Sequence, residues 1–472
     1  MTISLPLLVP AIRLDHADAA DESRRALAYA QEPWVAGFCL FGGEAEQVRD
    51  LLGRLREIAD RPLFVASDME CGAGQQVRGL RRLPEAAVWG LGATPDDVAA
   101  FGRMTAEDAR SVGVDILFAP VLDVMSEPTN PIVGSRAYGW DPSRVAALGG
   151  AYLRGAMEGG AVPVAKHYPG HGATTADSHD EVPRVEDPLE RILARDLLPF
   201  DAVLGAGVCP AVMTAHVVYP ALDETEVIAT FSRPILDRLR EAAADPDEVA
   251  VFTDALRMAG AERGIGEVEA GRRSLLAGCD LLLYPDDPAA VAEGLRELPG
   301  EALAAAANRV ERLYARLAHV ADAAQETGHA AADARCVDAV AASAVGRAWH
   351  GPAESECVLV LDDDDVPERG AILQACGLEV GVPVDVVRAF DASCPDPERG
   401  TVVVMASVRS SKGPGGLRPA GRAALDRMRR VVGQEGRPVR FVWCGPVPPD
   451  GAVHVPGAGE AVERALSQRL FS

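Results

Sequence analysis

The densest group of chemistry-bearing side chains lies at 165–183, in the stretch AKHYPGHGATTADSHDEVP, which holds three of the nine histidines. Gly170 and Gly172 disfavour a helix, so the stretch is predicted to be a shaped loop that presents polar groups. Asp177 and His179 are two residues apart, and on an extended segment their side chains point the same way. The carboxylate can then fix the imidazole tautomer, which suits a general acid/base near neutral pH.

Two alternatives exist for this loop: a surface loop with incidental histidines, or a metal site. The loop contains four zinc-ligand types, at His167, His171, Asp177 and His179. However, His167 and His171 would need a helix to face one ion, and Pro169 lies between them. We therefore expect no metal and no cofactor.

A second candidate is Asp254, in VFTDALRMAG, at the end of a predicted strand and immediately before a predicted helix. A carboxylate there can form a covalent glycosyl intermediate while a separate acid protonates the leaving oxygen. Asp254 and His179 suit these two roles. The alternative for Asp254 is an N-cap of the following helix.

The elements that must position these residues alternate between apolar runs and segments with helical spacing, such as 44–59 and 142–159. Continuous apolar strands between helices indicate parallel strands covered on the outside. Eight such runs predict a (β/α)8 barrel of the TIM type, within an α/β fold class. The runs are 5–11, 34–41, 62–68, 114–123, 161–167, 210–216, 249–254 and 280–285.

Several of these runs end in polar side chains. In a barrel the carboxyl ends of the strands carry the chemistry, so these side chains are expected to converge on one face. They are Asp68, Asp123, Lys166, His167, His216 and Asp254.

The barrel is predicted to span 1–325, followed by a helical linker at 326–352. A smaller C-terminal α/β sandwich domain is predicted at 353–472, with strands at 357–362, 401–407 and 439–445. The helices predicted between and after these strands are at 367–376, 419–433 and 460–470.

Composition excludes several classes of protein. The net charge of −24 argues against binding nucleic acid, and no apolar run approaches the roughly 20 residues of a membrane span. Nine scattered cysteines fit reduced thiols, and the N-terminus lacks secretory features, so a cytoplasmic protein is expected. We expect a monomer whose partner is a small-molecule substrate.

Only Lys166 and Lys412 are lysines among 46 basic residues, so a lysine is exceptional here.

Residues 1 to about 320 resemble the barrel of glycoside hydrolase family 3, and most of all its bacterial N-acetyl-β-glucosaminidase branch. The resemblance rests on KHYPGHG followed by DSH, on FAPVLDV with NPIVGSRAYGWDP, on VMTAHVVYPALD and on FTDALRM, all in the family order. It implies a retaining enzyme that removes terminal β-linked N-acetylglucosamine from a glycan, with cell-wall muropeptides as the expected source.

The resemblance also implies roles for single residues. It implies Asp254 as the nucleophile, His179 as the acid/base and Asp177 as the partner of His179. It further implies that sugar hydroxyls are bound by Asp68, Arg78, Arg136, Lys166 and His167.

The chain departs from the family after the third strand, where it reads SDMECGAGQQVRGL. Cys71 stands at a usual glycine and the spacing to Arg78 is longer, which weakens the transfer of that arginine's role. Two functional alternatives stay open. A neutral imidazole does not repel an anionic acceptor, so phosphate could replace water and make the enzyme a phosphorylase. The other alternative is an inactive, sugar-binding barrel.

Overall fold

The computed structural model describes most of the barrel and scattered parts of the sequence after it. The described residues are 5–15, 18–127, 130, 132–175, 182–258, 264–324, 337, 339–343, 357–362, 384–388, 401–406, 440–444, 453–455, 462 and 465–466. Two of the predicted catalytic residues, Asp177 and His179, therefore lie outside the described residues.

Short parallel strands follow the eight predicted apolar runs and form the wall of a barrel. They are β1 Leu8–Val9, β2 Ala11–Arg13, β3 Gly37–Phe41, β4 Phe64–Ser67, β5 Ile116–Leu117, β6 Val162–Pro163, β7 Ala165–Tyr168, β8 Ala211–Thr214, β9 Ala250–Phe252 and β10 Leu282–Leu283. Pairing runs from β2 through β6 and from β7 through β9, and β1 pairs with β10. Bridges from Val121 to Lys166, from Phe252 to Leu281 and from Leu8 to Val35 join these three sheets into one closed ring. The (β/α)8 prediction is confirmed.

Helices cover the outside of this ring. They are α1 Ala19–Tyr29, α2 Ala45–Ile58, α3 Ala86–Gly92, α4 Pro95–Ser111, α5 Pro142–Glu158, α6 Leu189–Arg195, α7 Leu198–Gly205, α8 Arg233–Ala242, α9 Gly266–Ala277, α10 Pro288–Gly294 and α11 Gly300–Ala324. Their starts follow local chemistry. In α4, Thr94 and Asp97 form a reciprocal capping box and Pro95 occupies the first turn. The side chain of Asp141 caps α5 in a similar way, by accepting from the N–H of Ser143.

The prediction of a helix immediately after Asp254 is wrong. Residues 255–258 form a turn, in which the carbonyl of Ala255 accepts a hydrogen bond from the N–H of Met258. The next helix that the structure describes begins at Gly266, which has a φ of 76°. A backbone in that left-handed conformation cannot lie inside a helix, so α9 begins at this glycine.

The part of the sequence after the barrel contains a second parallel sheet. Its strands are β11 Cys357–Asp362, β12 Val384–Arg388, β13 Thr401–Ala406, β14 Arg440–Cys444 and β15 Val453–Val455, in the order β12-β11-β13-β14-β15. Three of these strands match predicted ones, whereas β12 and β15 were not predicted. Of the predicted helices, those at 367–376 and 419–433 lie outside the described residues, while residues 462, 465 and 466 of the third are helical.

The barrel interior and the contacts between wall and helices form one large apolar core. Buried aromatic side chains fill it, with Phe64 and Phe118 each packing edge-on against Phe252. Cys39, Cys209 and Cys279 are buried free thiols. Among the helices described, none is long and apolar enough to cross a membrane.

Candidate active site

Four charged side chains meet at the carboxyl ends of β4 and β7. Lys166, on β7, lies 2.7 Å from Asp68 and 2.5 Å from Glu70, both just beyond β4. Arg136 forms a two-pronged ion pair with the same Glu70, through Nε at 2.8 Å and Nη2 at 2.7 Å. Two cations therefore alternate with two carboxylates, and the lysine ammonium is almost completely buried.

These contacts decide the charge states. Burial alone would raise the pKa of Glu70, but Arg136 and Lys166 outweigh it and hold that pKa well below its usual range. Burial alone would lower the pKa of Lys166, and Asp68 and Glu70 reverse this and raise it. Glu70 and Lys166 are therefore both ionised at neutral pH, with their polar atoms fixed before a ligand arrives.

A second buried carboxylate, Asp123, orients two histidines. Its Oδ2 lies 2.7 Å from Nδ1 of His167, and its Oδ1 accepts the backbone N–H of His171 at 2.7 Å. Burial would raise the pKa of Asp123, but His167 lowers it below the usual value. An ionised Asp123 holds the proton of His167 on Nδ1, which leaves Nε2 as the free acceptor. That Nε2 lies 3.4 Å from Arg136 Nη2, so His167 joins the charged cluster.

His171 is buried and serves the loop itself. Burial lowers its pKa to about 4, so the ring is neutral at physiological pH. Its Nδ1 lies 2.8 Å from Oγ1 of Thr174. The side chain of Asn130 donates to the carbonyl of His171 at 2.8 Å and accepts from the N–H groups of Ile132 and Val133. These bonds tie the first half of the loop to the segment that carries Arg136.

Gly172 brings the loop into direct contact with the chain after β5. Its carbonyl accepts the N–H groups of Ser126 and Glu127. A Cβ atom at position 172 would lie 1.7 Å from the carbonyl oxygen of Val124, which no side chain can tolerate. Further along the chain, Val185 and Pro183 pair with Val218, so the segment returns to the barrel beside β8.

Asp254 is partly buried beyond β9, at the same mouth of the barrel. Its Oδ1 accepts the N–H of the next residue, Ala255, at 2.7 Å. An N-cap accepts from the second or third helical residue, so this geometry disfavours the N-cap alternative. Burial would raise the pKa of Asp254, but electrostatic interactions with His216 and His167, the hydrogen bond from the Ala255 N–H and the charge of Lys166 lower it. Asp254 is therefore an ionised carboxylate placed among the sugar-binding candidates.

His216 supports the turn that carries Asp254. It is completely buried, with Nδ1 2.8 Å from Oγ1 of Thr230 and Nε2 3.1 Å from the carbonyl of Ala255. The imidazole therefore connects the end of β8 with the residue after the candidate nucleophile.

The predicted site residues fall into three groups. The structure brings together Asp68, Arg136, Lys166, His167 and Asp254. It places Arg78 away from them: that side chain is mostly exposed and pairs with Glu44 at 2.5 Å. Asp177 and His179 lie outside the described residues, so their roles stay predictions.

Sequence reasoning missed the centre of the charged cluster. Glu70 stands in the stretch SDMEC and received no role, although an acidic residue two positions after Asp68 is a usable signal. Asp123 was expected at a strand end but without a partner. Its partner His167 comes from a strand 44 residues later, which local patterns cannot reveal.

In the described part of the chain, no three His, Cys, Asp or Glu side chains are arranged to hold a metal ion. Nδ1 of His167 is engaged by Asp123 and Nδ1 of His171 by Thr174. Two of the four residues considered as zinc ligands are not described, so the absence of a metal stays a prediction. What the described residues can do is bind hydroxyl groups through fixed charges and attack an electrophilic carbon through Asp254.

Comparison with known protein families gives a match over most of the barrel. The family model described as "Glycosyl hydrolase family 3 N terminal domain" matches residues 13–322. A protein named β-hexosaminidase from Pseudomonas aeruginosa is 38% identical over 274 residues, which are 57% of this chain and 80% of that protein.

Solved structures show the same fold. A glycoside hydrolase family 3 β-N-acetylglucosaminidase from Paenibacillus sp. FPU-7 has a TM-score of 0.80 at 22% identity, covering 98% of this chain and 95% of its own. NagZ from Neisseria gonorrhoeae, solved with N-trifluoroacetyl-D-glucosamine, has a TM-score of 0.57 at 29% identity. That alignment covers 71% of this chain and 96% of NagZ.

Proposed function

The chain belongs to glycoside hydrolase family 3, and on that premise we propose that it is a β-N-acetylhexosaminidase that releases terminal β-linked N-acetylglucosamine. The observation that carries the proposal is an ionised Asp254 at the barrel mouth, near Lys166, His167 and His216. The name of the Pseudomonas relative and the amino sugar in the NagZ structure support the same sugar.

The charged cluster is proposed to hold the sugar. The Asp68 carboxylate accepts hydrogen bonds from hydroxyl groups, while Lys166 and Arg136 donate them. Because Glu70 fixes both cations before the sugar arrives, little ordering is needed on binding, which favours affinity. We attribute the lysine here, in a chain whose one other lysine is Lys412, to the fit of a compact ammonium beside sugar oxygens.

The proposed reaction has two steps with retention of configuration. Asp254 attacks the anomeric carbon as His179 protonates the departing oxygen, which leaves the sugar esterified to Asp254. The neutral His179 then takes a proton from water, whose oxygen forms the new bond to that carbon as Asp254 leaves. Asp177 is proposed to orient His179. The low pKa of Asp254 supports its role, because a nucleophilic carboxylate must be ionised.

The biological setting is part of the proposal. We propose cell-wall muropeptides as the source of the substrate and the cytoplasm as the location, since the chain resembles the branch of the family that serves cell-wall recycling. We also propose that the protein acts as a monomer without metal or cofactor.

The first prediction tests which sugar the protein removes and whether water or phosphate accepts it. The wild-type chain is expected to cleave an aryl N-acetyl-β-glucosaminide with a kcat/KM at least about 100-fold above that for the aryl β-glucoside. Asp254→Asn is expected to lower kcat by about 10⁴-fold, because the carboxylate is needed to form the glycosyl ester. Release of the aryl group is the measurement, with and without phosphate.

Asp237→Asn on the exposed face of α8 is the matched control and should behave as the wild type. Near-normal turnover by Asp254→Asn would contradict the nucleophile assignment. Binding of the glucosaminide without turnover by the wild type would instead favour an inactive sugar-binding barrel. Formation of a sugar phosphate would identify a phosphorylase.

A further inference from the structure

A second group of charged and aromatic side chains borders the mouth of the barrel. We call it the rim arginine cluster, and it consists of Arg13, Phe41, Arg257 and Tyr284. The hydroxyl oxygen of Tyr284 accepts a hydrogen bond from Arg13 Nε at 2.5 Å and another from Arg257 Nη1 at 2.9 Å. Two guanidinium groups are thus held against one phenol oxygen.

Aromatic rings hold these cations in place. The guanidinium carbon of Arg13 lies 4.8 Å from the ring centre of Phe41, and that of Arg257 lies 5.1 Å from the ring centre of Tyr284. The two rings are 5.3 Å apart, and the Tyr284 side chain is almost buried. Cation–π contact and hydrogen bonding together fix the orientation of both guanidinium planes.

The cluster lies beside the catalytic pocket. Arg13 ends β2, Phe41 ends β3 and Tyr284 follows β10, so these three side chains stand at the carboxyl ends of neighbouring strands. Arg257 lies three residues after Asp254. Burial raises the pKa of the Cys39 thiol, and the charges of Asp68, Lys166, Arg13 and Asp254 all lie near enough to act on the same thiol.

The electrostatics of the cluster favour an anion. Two cations that share one oxygen repel each other, and this repulsion is relieved when an oxyanion bridges them. The carboxylate of Asp15 pairs with Arg13 at 3.9 Å and that of Asp286 pairs with Arg257 at 3.5 Å, and both distances exceed that of a direct charge-assisted hydrogen bond. Both arginine side chains also remain accessible, with 32% and 44% of their surfaces exposed.

We propose that the rim arginine cluster is an oxyanion subsite for the group that leaves or enters opposite the sugar. The inference rests on the proposed function. N-Acetylglucosamine is uncharged and its hydroxyls have partners in the charged cluster, so the anion belongs to the other reactant. It is the carboxylate of an acidic aglycone, or phosphate in place of water.

The chemistry with phosphate balances without a further reactant. Hydrogen phosphate gives its proton to the neutral His179, its oxygen bonds to the anomeric carbon, and Asp254 leaves as a carboxylate. The products are a sugar phosphate and the starting enzyme. Whether the anion is the aglycone carboxylate or phosphate, the subsite only binds and orients it.

The test uses two substrates that differ in one charge: 3-carboxy-4-nitrophenyl N-acetyl-β-glucosaminide and its methyl ester. The wild type is expected to favour the acid by about 5- to 10-fold in kcat/KM. This is the size expected for charge-assisted hydrogen bonds from partly exposed arginines to the carboxylate. Arg257→Gln should bring that ratio near one, and Arg257→Lys should keep part of it. Arg233→Gln, an exposed arginine on α8, is the control and should keep the wild-type ratio.

A second arm distinguishes the two anions. With the neutral 4-nitrophenyl substrate, inorganic phosphate is titrated and sugar phosphate is measured. If phosphate is the ligand, Arg257→Gln is expected to raise the half-saturating phosphate concentration by about 5- to 10-fold. If the aglycone carries the anion, no sugar phosphate forms and only the acid-to-ester ratio responds.

Three results would overturn the inference. One is a wild type that neither prefers the acid nor uses phosphate, and another is equal loss on acid and ester in Arg257→Gln. The third is equal affinity for the S-linked acid and ester, measured by calorimetry without turnover, in a wild type that also forms no sugar phosphate. Failure to cleave either substrate counts against the proposed function alone, because the calorimetric preference is independent of catalysis.

Discussion

Glu70 shows how a single buried residue can organise a sugar-binding surface. It contacts both Lys166 and Arg136, whose positive charges would otherwise repel each other within the pocket. The N–H groups of Lys166 and Arg136 that do not bind Glu70 therefore point in fixed directions. The side chain therefore acts on ligands through the two residues that it positions.

Replacing Glu70 by Gln should reveal this role. The substitution leaves two buried cations without their shared carboxylate, and breaking a buried ion pair costs about 3 to 5 kcal/mol. The free energy of unfolding, measured in urea, is expected to fall by that amount, and KM for the aryl glucosaminide is expected to rise.

Glu44→Gln is the matched control, because Glu44 also pairs with an arginine, Arg78, but on an exposed surface. Exposed pairs contribute at most about 1 kcal/mol, so this variant should be nearly as stable as the wild type. Equal losses in the two variants would contradict the organising role of Glu70.

At this scale the sequence located residues by type and order but could not reveal their partners. The lysine and the first histidine of KHYPGHG are predicted to bind the sugar, and the structure places both in the pocket. The same prediction for Arg78 rests on similar grounds, yet Arg78 faces solvent beside Glu44. Cys71 at a usual glycine and the longer spacing before Arg78 are the local signs of that difference. The pairing of Arg78 with Glu44 could not be read from them, because pairing between strands depends on the folded ring.

Among the elements, the loop after β7 depends on close backbone packing at Gly172. The hydrogen bonds from Asn130 and the contact of Gly172 with Val124 hold its first half against the chain after β5. The residues proposed to protonate the leaving group lie further along the same loop. Displacing the first half should therefore affect protonation more than sugar binding.

Gly172→Ala tests this dependence. A methyl group 1.7 Å from the oxygen of Val124 must push the loop away, at a cost of about 1 to 3 kcal/mol. We expect kcat/KM to fall at least about tenfold for an aryl substrate with a poor leaving group, and less for one with a good leaving group. The difference arises because only poor leaving groups need the proton.

Gly53→Ala is the control for this variant. Gly53 lies inside α2, and a methyl group added there would meet no atom within 4 Å apart from its chain neighbours and the backbone of its own helix, so alanine should stabilise the helix by up to about 1 kcal/mol. Activity should not change. An equal loss for good and poor leaving groups in Gly172→Ala would show that the loop does not position the acid.

Strand position along the chain was predictable from sequence because each barrel strand is a short apolar run between polar turns. Strands β12 and β15 were missed for a physical reason: β12 reads VDVVR and β15 reads VHV, so polar residues interrupt their apolar pattern. The stretch ALRM after Asp254 favours a helix by propensity, whereas residues 255–258 form a turn whose Ala255 carbonyl lies 3.1 Å from Nε2 of His216, a contact from a distant strand that local propensity cannot reveal.

Over the whole molecule, the net charge of −24 opposes the compact state through repulsion between like charges. Arginine–carboxylate pairs on the described surface offset part of this repulsion, including those of α8 and α9. Such exposed pairs contribute little each. Repulsion is therefore expected to be the larger effect.

Salt should therefore stabilise the protein at neutral pH. Raising NaCl from about 0.01 M to about 0.15 M shortens the screening length from about 30 Å to about 8 Å, which weakens long-range repulsion more than contact pairs. We expect Tm, measured by calorimetry near pH 7.5, to rise by about 2 to 5 °C, equivalent to about 1 kcal/mol. Near the sequence pI of about 4.8 the net charge vanishes, and the same salt step should leave Tm unchanged or lower it. A fall of Tm with salt near pH 7.5 would instead show that the surface ion pairs outweigh the net repulsion.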